Sequence, residues 1–382
     1  MVDLGEIVRG ESARYLQTHY ASPVRRKALQ DISECRTEAL GSKTAECDDC
    51  GEEYQLFCSC GNRSCPLCGG EAREKWLEAR EQELLPVPYL HIVFPVPREL
   101  YVLALYCQRA FYDAVMRAAG QAVMDVGRSA LHLQLGCLTL FHTWTQTMLW
   151  YLHVHCAVPA GGFSPDRSRW QPFHPRDLPT KALRKRFGEL LCQALQEAVR
   201  KGKFVGLPPT VRIEQLLVRV RTRRWKVYAK PPFGGPQKLL EYLAQYMYRV
   251  AITNERIESY ENHQVTFRCR VSAGSSDQTL CTLDAQKFVD RFLMHVPPKG
   301  FVRARSYGFL GNRNRKQNNE RAVQLIGKAR TPPSRESFKP VRLCPACAAK
   351  RGMRRTHFAP APEVEPQFDL PLRPPPVGPI AA

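Results

Sequence analysis

Long apolar runs are missing from this 382-residue sequence. None approaches the roughly 20 consecutive apolar residues that a transmembrane helix needs. The first ten residues, MVDLGEIVRG, also lack the charged stretch followed by an apolar one that marks a secretory signal. We therefore expect neither a membrane-spanning nor a secreted protein, and we place it in the cytoplasm.

Acidic residues are scarce relative to basic ones. The chain has 36 Asp and Glu against 56 Lys and Arg, which leaves a formal net charge of +20. This charge favours a polyanionic partner, because Lys and Arg that neutralise phosphates release condensed counterions. An anionic membrane surface is the alternative, but the basic residues are spread along the chain and no membrane-type amphipathic helix stands out. Nucleic acid is the expected partner.

Core-forming residues, in contrast, are not in short supply, since 44% of the chain is apolar and it contains 14 Tyr, 17 Phe and 5 Trp. A chain of this length suggests two or three units. Strand patterns interleaved with helix patterns predict an α+β domain with an antiparallel sheet. The predicted units are a helical lead-in (1–34), a cysteine-rich module (35–76), a main domain (85–310), a basic linker (311–340), and a CPAC pair with a proline-rich disordered tail (341–382).

Local patterns predict the elements of these units. EAREKWLEAREQELL is typical of a helix that ends at Pro86, and PYLHIVFPVP is typical of a buried strand bounded by prolines. The other patterns predict helices over 99–128, 180–201 and 284–294, a helix from Pro236 to about Val250, a hairpin over ERIESYENHQVTFRCRV, and strands over VRIEQLLVRV and RRWKVYAK.

Seven of the 15 cysteines lie between Cys35 and Cys68. In a cytoplasmic protein metal ligation is a better explanation for them than disulfides. Two CxxC knuckles, Cys47 with Cys50 and Cys65 with Cys68, are spaced much as in a zinc ribbon. They can place four thiolates on one tetrahedral zinc ion, which a segment with so few apolar residues needs in order to fold. Four thiolates leave no open position for water, so the predicted zinc is structural.

The sequence leaves the roles of five other cysteines unassigned. Three in the block could form part of a second site or exchange with the first: Cys35, Cys58 and Cys60. In the tail, Cys344 and Cys347 supply half a site that His357 or a partner chain could complete, and a free pair fits the sequence equally well.

A histidine pair, His153 and His155, flanks Val154 in the predicted strand LHVHCAVP. Side chains two apart on a strand point to the same face, so both imidazoles could hold one metal ion. Buried histidines with purely structural roles are as common as ligand pairs. A metal site would need one more polar group, and three side chains could reach: His142, His91 and Gln245.

A tyrosine pair, Tyr242 and Tyr246, lies four apart on the predicted helix LLEYLAQYMYRV and so shares one face. The two tyrosines follow the edge of an apolar stripe formed by Leu239, Leu243, Met247 and Val250. Tyr248 points away from this stripe. Tyrosines in such positions often only cover a core, so the pattern alone does not indicate catalysis.

Together these features resemble the HUH endonuclease superfamily, and in detail the insertion-sequence-91 family of rolling-circle transposases. The resemblance implies an HUH-type antiparallel sheet with flanking helices, preceded by a small zinc-ribbon-like module. The matching stretches occur in family order from about residue 30 to 330: CDDCG, CGNRSCPLC, PYLHIVFPVP, FHTW, HVHCAVPAGG, VYAKPPFGGP, YLAQYMYRVAITNERI and FVRARSYGFLGNRNR.

The resemblance also implies a chemistry. His153 and His155 would bind a divalent metal, Mg or Mn, and Tyr242 and Tyr246 would be the nucleophiles. A tyrosine oxygen would attack single-stranded DNA to give a 5′-phosphotyrosine and a free 3′-hydroxyl, a link that can be reversed onto another strand. The implied partners are single-stranded DNA, the hairpin ends of the protein's own element and target DNA, at the bacterial nucleoid.

Three departures from the family pattern concern the site. Ser64 stands where the family usually has a histidine, so that position offers no zinc ligand. Met247 and Tyr248 replace the Thr and His that commonly follow the second tyrosine, which leaves the third metal ligand open. Some relatives also work with one tyrosine.

Basic residues are expected to follow the DNA strand in a salt-sensitive, sequence-tolerant manner. The predicted DNA-binding set is Arg223, Arg224, Lys226, Lys230, Arg303 and Arg305, with Arg219, Arg221, Arg313 and Arg315 nearby. Three aromatic residues could stack bases, although core packing is the expected role of each: Phe94, Trp144 and Trp225.

Two other functions fit the sequence. A replication initiator or plasmid relaxase would use the same nick-and-join chemistry, but the zinc block together with YAKPPFGGP favours the transposase. A noncatalytic zinc-ribbon DNA-binding regulator is the alternative from another class, and a cleavage assay separates it from both enzymes.

Overall fold

The computed structural model describes residues 2–230, 235–247, 251–271, 276–329, 344, 346–347 and 353–360, without the side chains of Lys230, Tyr246 and 353–358. Its helices are α1 Leu4–Thr18, α2 Pro23–Glu34, α3 Gly69–Glu81, α4 Tyr101–Tyr106, α5 Gln108–Ala130, α6 Thr180–Arg200, α7 Ile213–Arg221, α8 Gly235–Met247, α9 Ala285–Met294 and α10 Arg315–Ile326. Its strands are β1 Ser42–Cys47, β2 Glu53–Phe57, β3 Tyr89–Pro95, β4 Gly136–Trp144, β5 Trp150–Pro159, β6 Gly161–Phe163, β7 Trp170–Pro172, β8 Tyr228–Lys230, β9 Ile257–Glu261, β10 Gln264–Arg270, β11 Gln278–Asp284, β12 Ala304–Gly308 and β13 Met353–Ala359.

A five-stranded antiparallel sheet, in the order β12-β4-β5-β3-β8, forms the centre of the main domain. One face packs against α5 and α6 through alternate residues of the strands, among them Ile92, Phe94 and Val154. The other face is covered as well, so that every residue of β3 is buried. Burial on both faces explains why PYLHIVFPVP is continuously apolar instead of alternating.

Helix α8 covers the second face of this sheet. Leu239 and Leu243, one turn apart, pack with Leu140 and Ala157 of the two central strands. The next face of the same helix, with Leu240, packs against α3. The helix begins at a Gly-Pro step, as the sequence predicts, and it holds any side chain on its sheet-facing side against β4 and β5.

The N-terminal helices pack on a second unit. α1 and α2 share a core with the antiparallel sheet β11-β10-β9 and with α9. A buried carboxylate fastens the two parts together, because Glu11 accepts hydrogen bonds from the hydroxyl of Tyr260 at 2.9 Å and from Nδ1 of His263 at 2.5 Å. A third small sheet, β13-β1-β2, carries the first cysteine knuckle.

Most elements lie where the sequence predicts them, including both N-terminal helices, the hairpin β9–β10, and α9 with Asp284 as its N-cap. One prediction is wrong: VRIEQLLVRV forms the helix α7 and not a strand. Its buried residues, Ile213, Leu217 and Val220, are spaced four and three apart, which is the helical period. The predicted helix over 99–128 is two helices that meet at Cys107. None of the described helices is long and apolar enough to cross a membrane.

The mixed helix and antiparallel-sheet class is confirmed. Residues 330–343 of the predicted linker and CPAC segment, and the proline-rich residues 361–382, lie outside the described residues.

The packing of α5 on the sheet permits a stability prediction. A Cβ at Gly120 would overlap the ring of Tyr307 on β12. Gly120→Ala should therefore lower the free energy of unfolding by about 1–3 kcal/mol, the usual cost of overpacking. Chemical denaturation measures it. Gly70→Ala on α3 is the matched control, since a Cβ there meets no atom within 4 Å; an equal loss in both variants would show that the Gly120 contact is not tight.

Candidate active site and metal centres

Three buried histidines meet on the α8-covered face of the central sheet. His142 on β4 pairs directly with His153 on β5, and His155 follows two residues later on the same face. Nδ1 of His142 lies 2.9 Å from Nε2 of His153, which lies 3.0 Å from Nε2 of His155. The strand register shifts directly after His142, a kind of irregularity that often re-aims a side chain at a functional site.

Hydrogen bonds on the outer side fix the direction of two of these rings. Nδ1 of His153 donates to the carbonyl oxygen of Tyr151 at 2.8 Å. Since a carbonyl only accepts, this nitrogen carries the proton and Nε2 keeps its lone pair toward the other histidines. Nδ1 of His155 lies 2.8 Å from Nε2 of His91, which leaves the inner Nε2 of His155 facing the same point. Metal-binding histidines have this arrangement of outer partners.

The electrostatics favour a neutral ring at His142. Burial lowers the pKa of His142 well below its ordinary value, and the neighbouring His153 and His155 lower it further. Three buried imidazoles whose nitrogens converge at about 3 Å are a donor set suited to one cation. Of the three candidates for a third ligand, the structure brings His142 into the cluster. It places His91 behind His155, and Gln245 is exposed.

Tyr242 reaches this cluster from α8. Its ring centroid lies 5.5 Å from that of His91 and 5.9 Å from that of His155. The residue is half-buried, between the apolar contacts of Leu239 and Leu243 and the outside. The side chain of Tyr246, one turn further along α8, and all of Tyr248 lie outside the described residues. The structure therefore places one of the two predicted nucleophiles beside the histidines.

A basic cleft opens beside the histidines at the β8 edge of the sheet. It has a volume of about 190 Å³, and its walls include Arg98, Tyr151, Arg223, Arg224, Lys226 and Tyr228. The ring of Tyr151 lies tilted against that of His153, with 4.6 Å between centroids, and Tyr228 pairs with Val93, so both tyrosines lie on the histidine face. The sequence reasoning missed these two tyrosines, although strand alternation from His153 places Tyr151 on the same face.

Part of the predicted DNA-binding set is elsewhere. Arg303 is only 9% exposed, lies 5.7 Å from the ring of Trp144, and donates to the carbonyl oxygen of His295 at 3.4 Å. Its burial lowers its pKa to about 10. The prediction that Arg303 contacts DNA is therefore wrong for this structure. Arg305 forms an ion pair with Asp113 of α5, and the side chain of Lys230 lies outside the described residues.

The aromatic residues considered for base stacking are core residues, as expected. They are all buried: Phe94, Trp144 and Trp225. Trp144 packs edge-on to His142 at 4.1 Å between ring centroids, so it supports the histidine cluster from the core side.

The cleft and the buried arginine lead to contrasting predictions for DNA affinity. Arg224→Ala with Lys226→Ala should weaken single-strand binding and flatten the dependence of log K on log salt, by about 0.7 for each phosphate that is no longer neutralised. Both side chains are exposed at the cleft. Binding titrations between low and moderate salt measure the slope.

Two further variants serve as controls for these titrations. Lys287→Ala, exposed on α9, should leave the slope unchanged. Arg303→Met should lower stability and also leave the slope unchanged, because its guanidinium is buried. A flattened salt dependence in either control would contradict the placement of the DNA strand in the cleft. An unchanged salt dependence in the cleft variant would contradict it too.

The cysteines form two clusters, each with four sulfurs within 4.8 Å of one another. The first consists of Cys35, Cys60, Cys65 and Cys68, and three of its Sγ–Sγ distances are 3.5 to 3.6 Å. Tetrahedral zinc with bonds of about 2.3 Å needs sulfurs about 3.8 Å apart, so this cluster fits zinc. Ser64, buried between two of its cysteines, is not part of the set.

The predicted pairing of the two CxxC knuckles is wrong. Cys47 and Cys50 do not face Cys65 and Cys68; they meet Cys344 and Cys347 from the tail in a second cluster. The first knuckle stands on the hairpin β1–β2, which pairs with β13 near the end of the chain, and this long-range pairing decides which thiolates meet. Sequence spacing could not show it. Cys58 belongs to neither of these two clusters.

Comparison with known proteins agrees with this architecture. Residues 136–318 match a family described as "Putative transposase", and residues 7–96 match the "Transposase zinc-binding domain" of insertion-sequence-91 elements. The "Putative transposase y4qJ" of Sinorhizobium fredii (strain NBRC 101917 / NGR234) is 35% identical over 368 residues, which cover 90% of this chain and 92% of the relative.

Two further matches are more distant. The transposase for insertion sequence element IS801 of Pseudomonas savastanoi pv. phaseolicola is 27% identical over 291 residues, 73% of this chain and 68% of the relative. A metal-bound structure of the conjugative relaxase TrwC in complex with oriT DNA aligns with 64% of this chain and 95% of that chain, at 13% identity and a TM-score of 0.23.

By its two matched domains the protein is a DNA transposase with a zinc-binding domain. More particularly, the chain belongs to the insertion-sequence-91 family of transposases. The resemblance to the insertion-sequence-91 family that the sequence motifs indicate is thereby confirmed.

Proposed function

We propose that this transposase nicks and rejoins single strands of DNA at insertion-sequence ends, through a tyrosine nucleophile beside a three-histidine metal site. The observation that carries the proposal is the meeting of His142, His153 and His155 beside Tyr242, whose ring centroid lies 5.9 Å from that of His155. These buried imidazoles lie on the sheet face that Leu239 and Leu243 of α8 cover, next to the half-buried phenol of Tyr242.

The three histidines would hold one divalent cation. When bound, such a cation polarises a phosphate oxygen and stabilises the charge of the transition state. Mg²⁺ prefers oxygen ligands and keeps several waters, whereas manganese belongs to the first-row series that also accepts nitrogen ligands. Of the two metals that the resemblance implies, we therefore expect manganese to support activity at the lower concentration.

Tyr242 would act as the nucleophile. Its phenol oxygen loses its proton and forms a bond to a backbone phosphorus; the bond to the 3′ oxygen breaks, and that oxygen leaves as a hydroxyl. The product is a 5′-phosphotyrosine. Because one phosphodiester replaces another, a free 3′-hydroxyl of a second strand can reverse the step without ATP.

Tyr246 would be the second nucleophile. It lies on α8 one turn after Tyr242, and residues four apart lie on one helix face. Two tyrosines on that face would let one hold the donor end while the other cuts again, as rolling-circle transposition requires.

The basic cleft would guide the strand to this site. Arg223, Arg224 and Lys226 supply positive charge at the β8 edge, directly beside Tyr151 and the histidines. The expected partners are single-stranded element ends with their hairpins and the target DNA, met at the nucleoid. In the zinc-binding domain, Cys35, Cys60, Cys65 and Cys68 would hold a structural zinc ion.

A cleavage assay tests the proposal. Purified protein, MnCl₂ and a labelled single-stranded oligonucleotide that carries the element end should give a protein–DNA adduct stable to denaturant. The matched duplex should give none, and a chelator should abolish the adduct. A protein that binds the strand but leaves it intact under all metal conditions would instead support a noncatalytic regulator.

A further inference from the structure

Two cysteine pairs from opposite ends of the sequence meet in space. Sγ of Cys47 lies 3.8 Å from Sγ of Cys347, and Sγ of Cys50 lies 3.6 Å from Sγ of Cys344. All four sulfurs lie within 4.8 Å of one another. These separations match the edges of a tetrahedron of sulfurs around zinc, about 3.8 Å, and are far longer than the roughly 2.05 Å of a disulfide bond.

The backbone around the four cysteines has the arrangement of a zinc ribbon. β1 ends at Cys47, and a tight turn closed by the hydrogen bond from Gly51 N to Cys47 O returns the chain into β2. β13 pairs antiparallel with β1, with Met353 opposite Cys47. The second knuckle comes just before β13 in the chain, so both knuckles stand at the same end of this sheet.

A tyrosine supports one of the ligands from behind. The hydroxyl of Tyr54, on β2, lies 2.9 Å from Sγ of Cys344 and accepts a hydrogen bond from the backbone N–H of Ala346 at 3.0 Å. Since this hydroxyl oxygen already accepts, its proton is available for the sulfur. A hydroxyl that donates to sulfur stabilises a thiolate, and such outer partners accompany metal ligands.

The first cluster cannot supply ligands to the second. Cys35, Cys60, Cys65 and Cys68 already make a complete four-sulfur set. The strands β1 and β2, which carry the first knuckle, bury few apolar side chains, Ala45 among them, so a bound metal would supply much of the energy that keeps this hairpin folded.

From these contacts we propose that Cys47, Cys50, Cys344 and Cys347 bind a second structural zinc ion. This ion completes a zinc ribbon that is split between the two ends of the chain, and it fastens the C-terminal segment to the N-terminal module. The matched families end at residues 96 and 318, so the site joins a knuckle inside one of them to a knuckle outside both. The proposal does not depend on the cleavage chemistry.

Zinc stoichiometry of the purified full chain tests the site. Cys344→Ser with Cys347→Ser should lose one equivalent of zinc relative to the unchanged protein, and so should Cys47→Ser with Cys50→Ser. All four replaced together should again lose only one. Cys281→Ser, outside both clusters, should lose none. Full zinc content in the Cys344 and Cys347 variant would overturn the proposal.

A second measurement distinguishes the loss of zinc from this site from a loss of zinc through general misfolding. A protease site is inserted within 330–343 and the folded protein is cut there. The C-terminal fragment should co-elute with the rest of the chain on size exclusion and should separate when a chelator removes zinc. Fragments that separate with zinc present, or that stay together after zinc is gone, would show that the metal does not fasten the two ends.

Discussion

Tyr242→Phe is expected to lower the rate of the first single-strand cut by about three orders of magnitude or more, because loss of its nucleophile removes the covalent route for that cut. The substitution removes one oxygen and leaves the ring that packs 5.9 Å from His155. Binding of the strand and of the metal should therefore change little. Single-turnover assays, with adduct and free 3′-hydroxyl product measured separately, give the rate of the first cut.

Tyr228→Phe is the matched control for this prediction. Tyr228 lies on the same sheet face, lines the cleft and is 47% exposed, in contrast to the half-buried Tyr242. That hydroxyl should not be needed for cleavage. Equal rates in the Tyr242 variant and the unchanged protein would remove Tyr242 from the nucleophile role. A loss confined to Tyr246→Phe would assign the first cut to the second tyrosine.

His142→Ala is expected to have the next largest effect. Removing one of three converging nitrogens leaves two ligands, so the manganese concentration for half-maximal cleavage should rise by more than about 100-fold. His91→Gln should cost less, about 10- to 100-fold, because His91 acts through His155, whose Nδ1 lies 2.8 Å away. Titration of the single-turnover rate with MnCl₂ measures both.

The two histidine variants should also differ in whether a high manganese concentration restores the cleavage rate. High manganese should restore the His91 variant toward the original rate, since all three ligands remain. The His142 variant should stay slow at every concentration that the protein tolerates. If His91→Gln proved the more damaging change, His91 would be the ligand and His142 its support.

Local features of this protein were predictable because they depend on neighbours in the sequence. The helix around Tyr242 follows from the spacing of Leu239 and Leu243, and the shared face of His153 and His155 follows from strand alternation. The strand prediction for VRIEQLLVRV is wrong because its β-branched and apolar residues fit the period of a strand as well as that of a helix. Only packing against the neighbouring helices decides that this segment forms a helix.

Features that depend on the register of strand pairing could not be predicted from the sequence. Nothing local shows that His142 lies opposite His153, since that pairing depends on the hairpin between β4 and β5 and its irregularity. The same is true of Cys47 and Cys347, whose sulfurs meet only because β13 returns to β1. The burial of Arg303 likewise depends on tertiary packing, since its charge alone would predict an exposed side chain.

Mass spectrometry of the trapped protein–DNA adduct tests the central claim most directly. After cleavage in manganese and digestion of both polymers, the nucleotide remnant should sit on a peptide from α8, at Tyr242 in the first cut. A remnant on any residue outside that helix would contradict an active site built from this tyrosine and the three histidines.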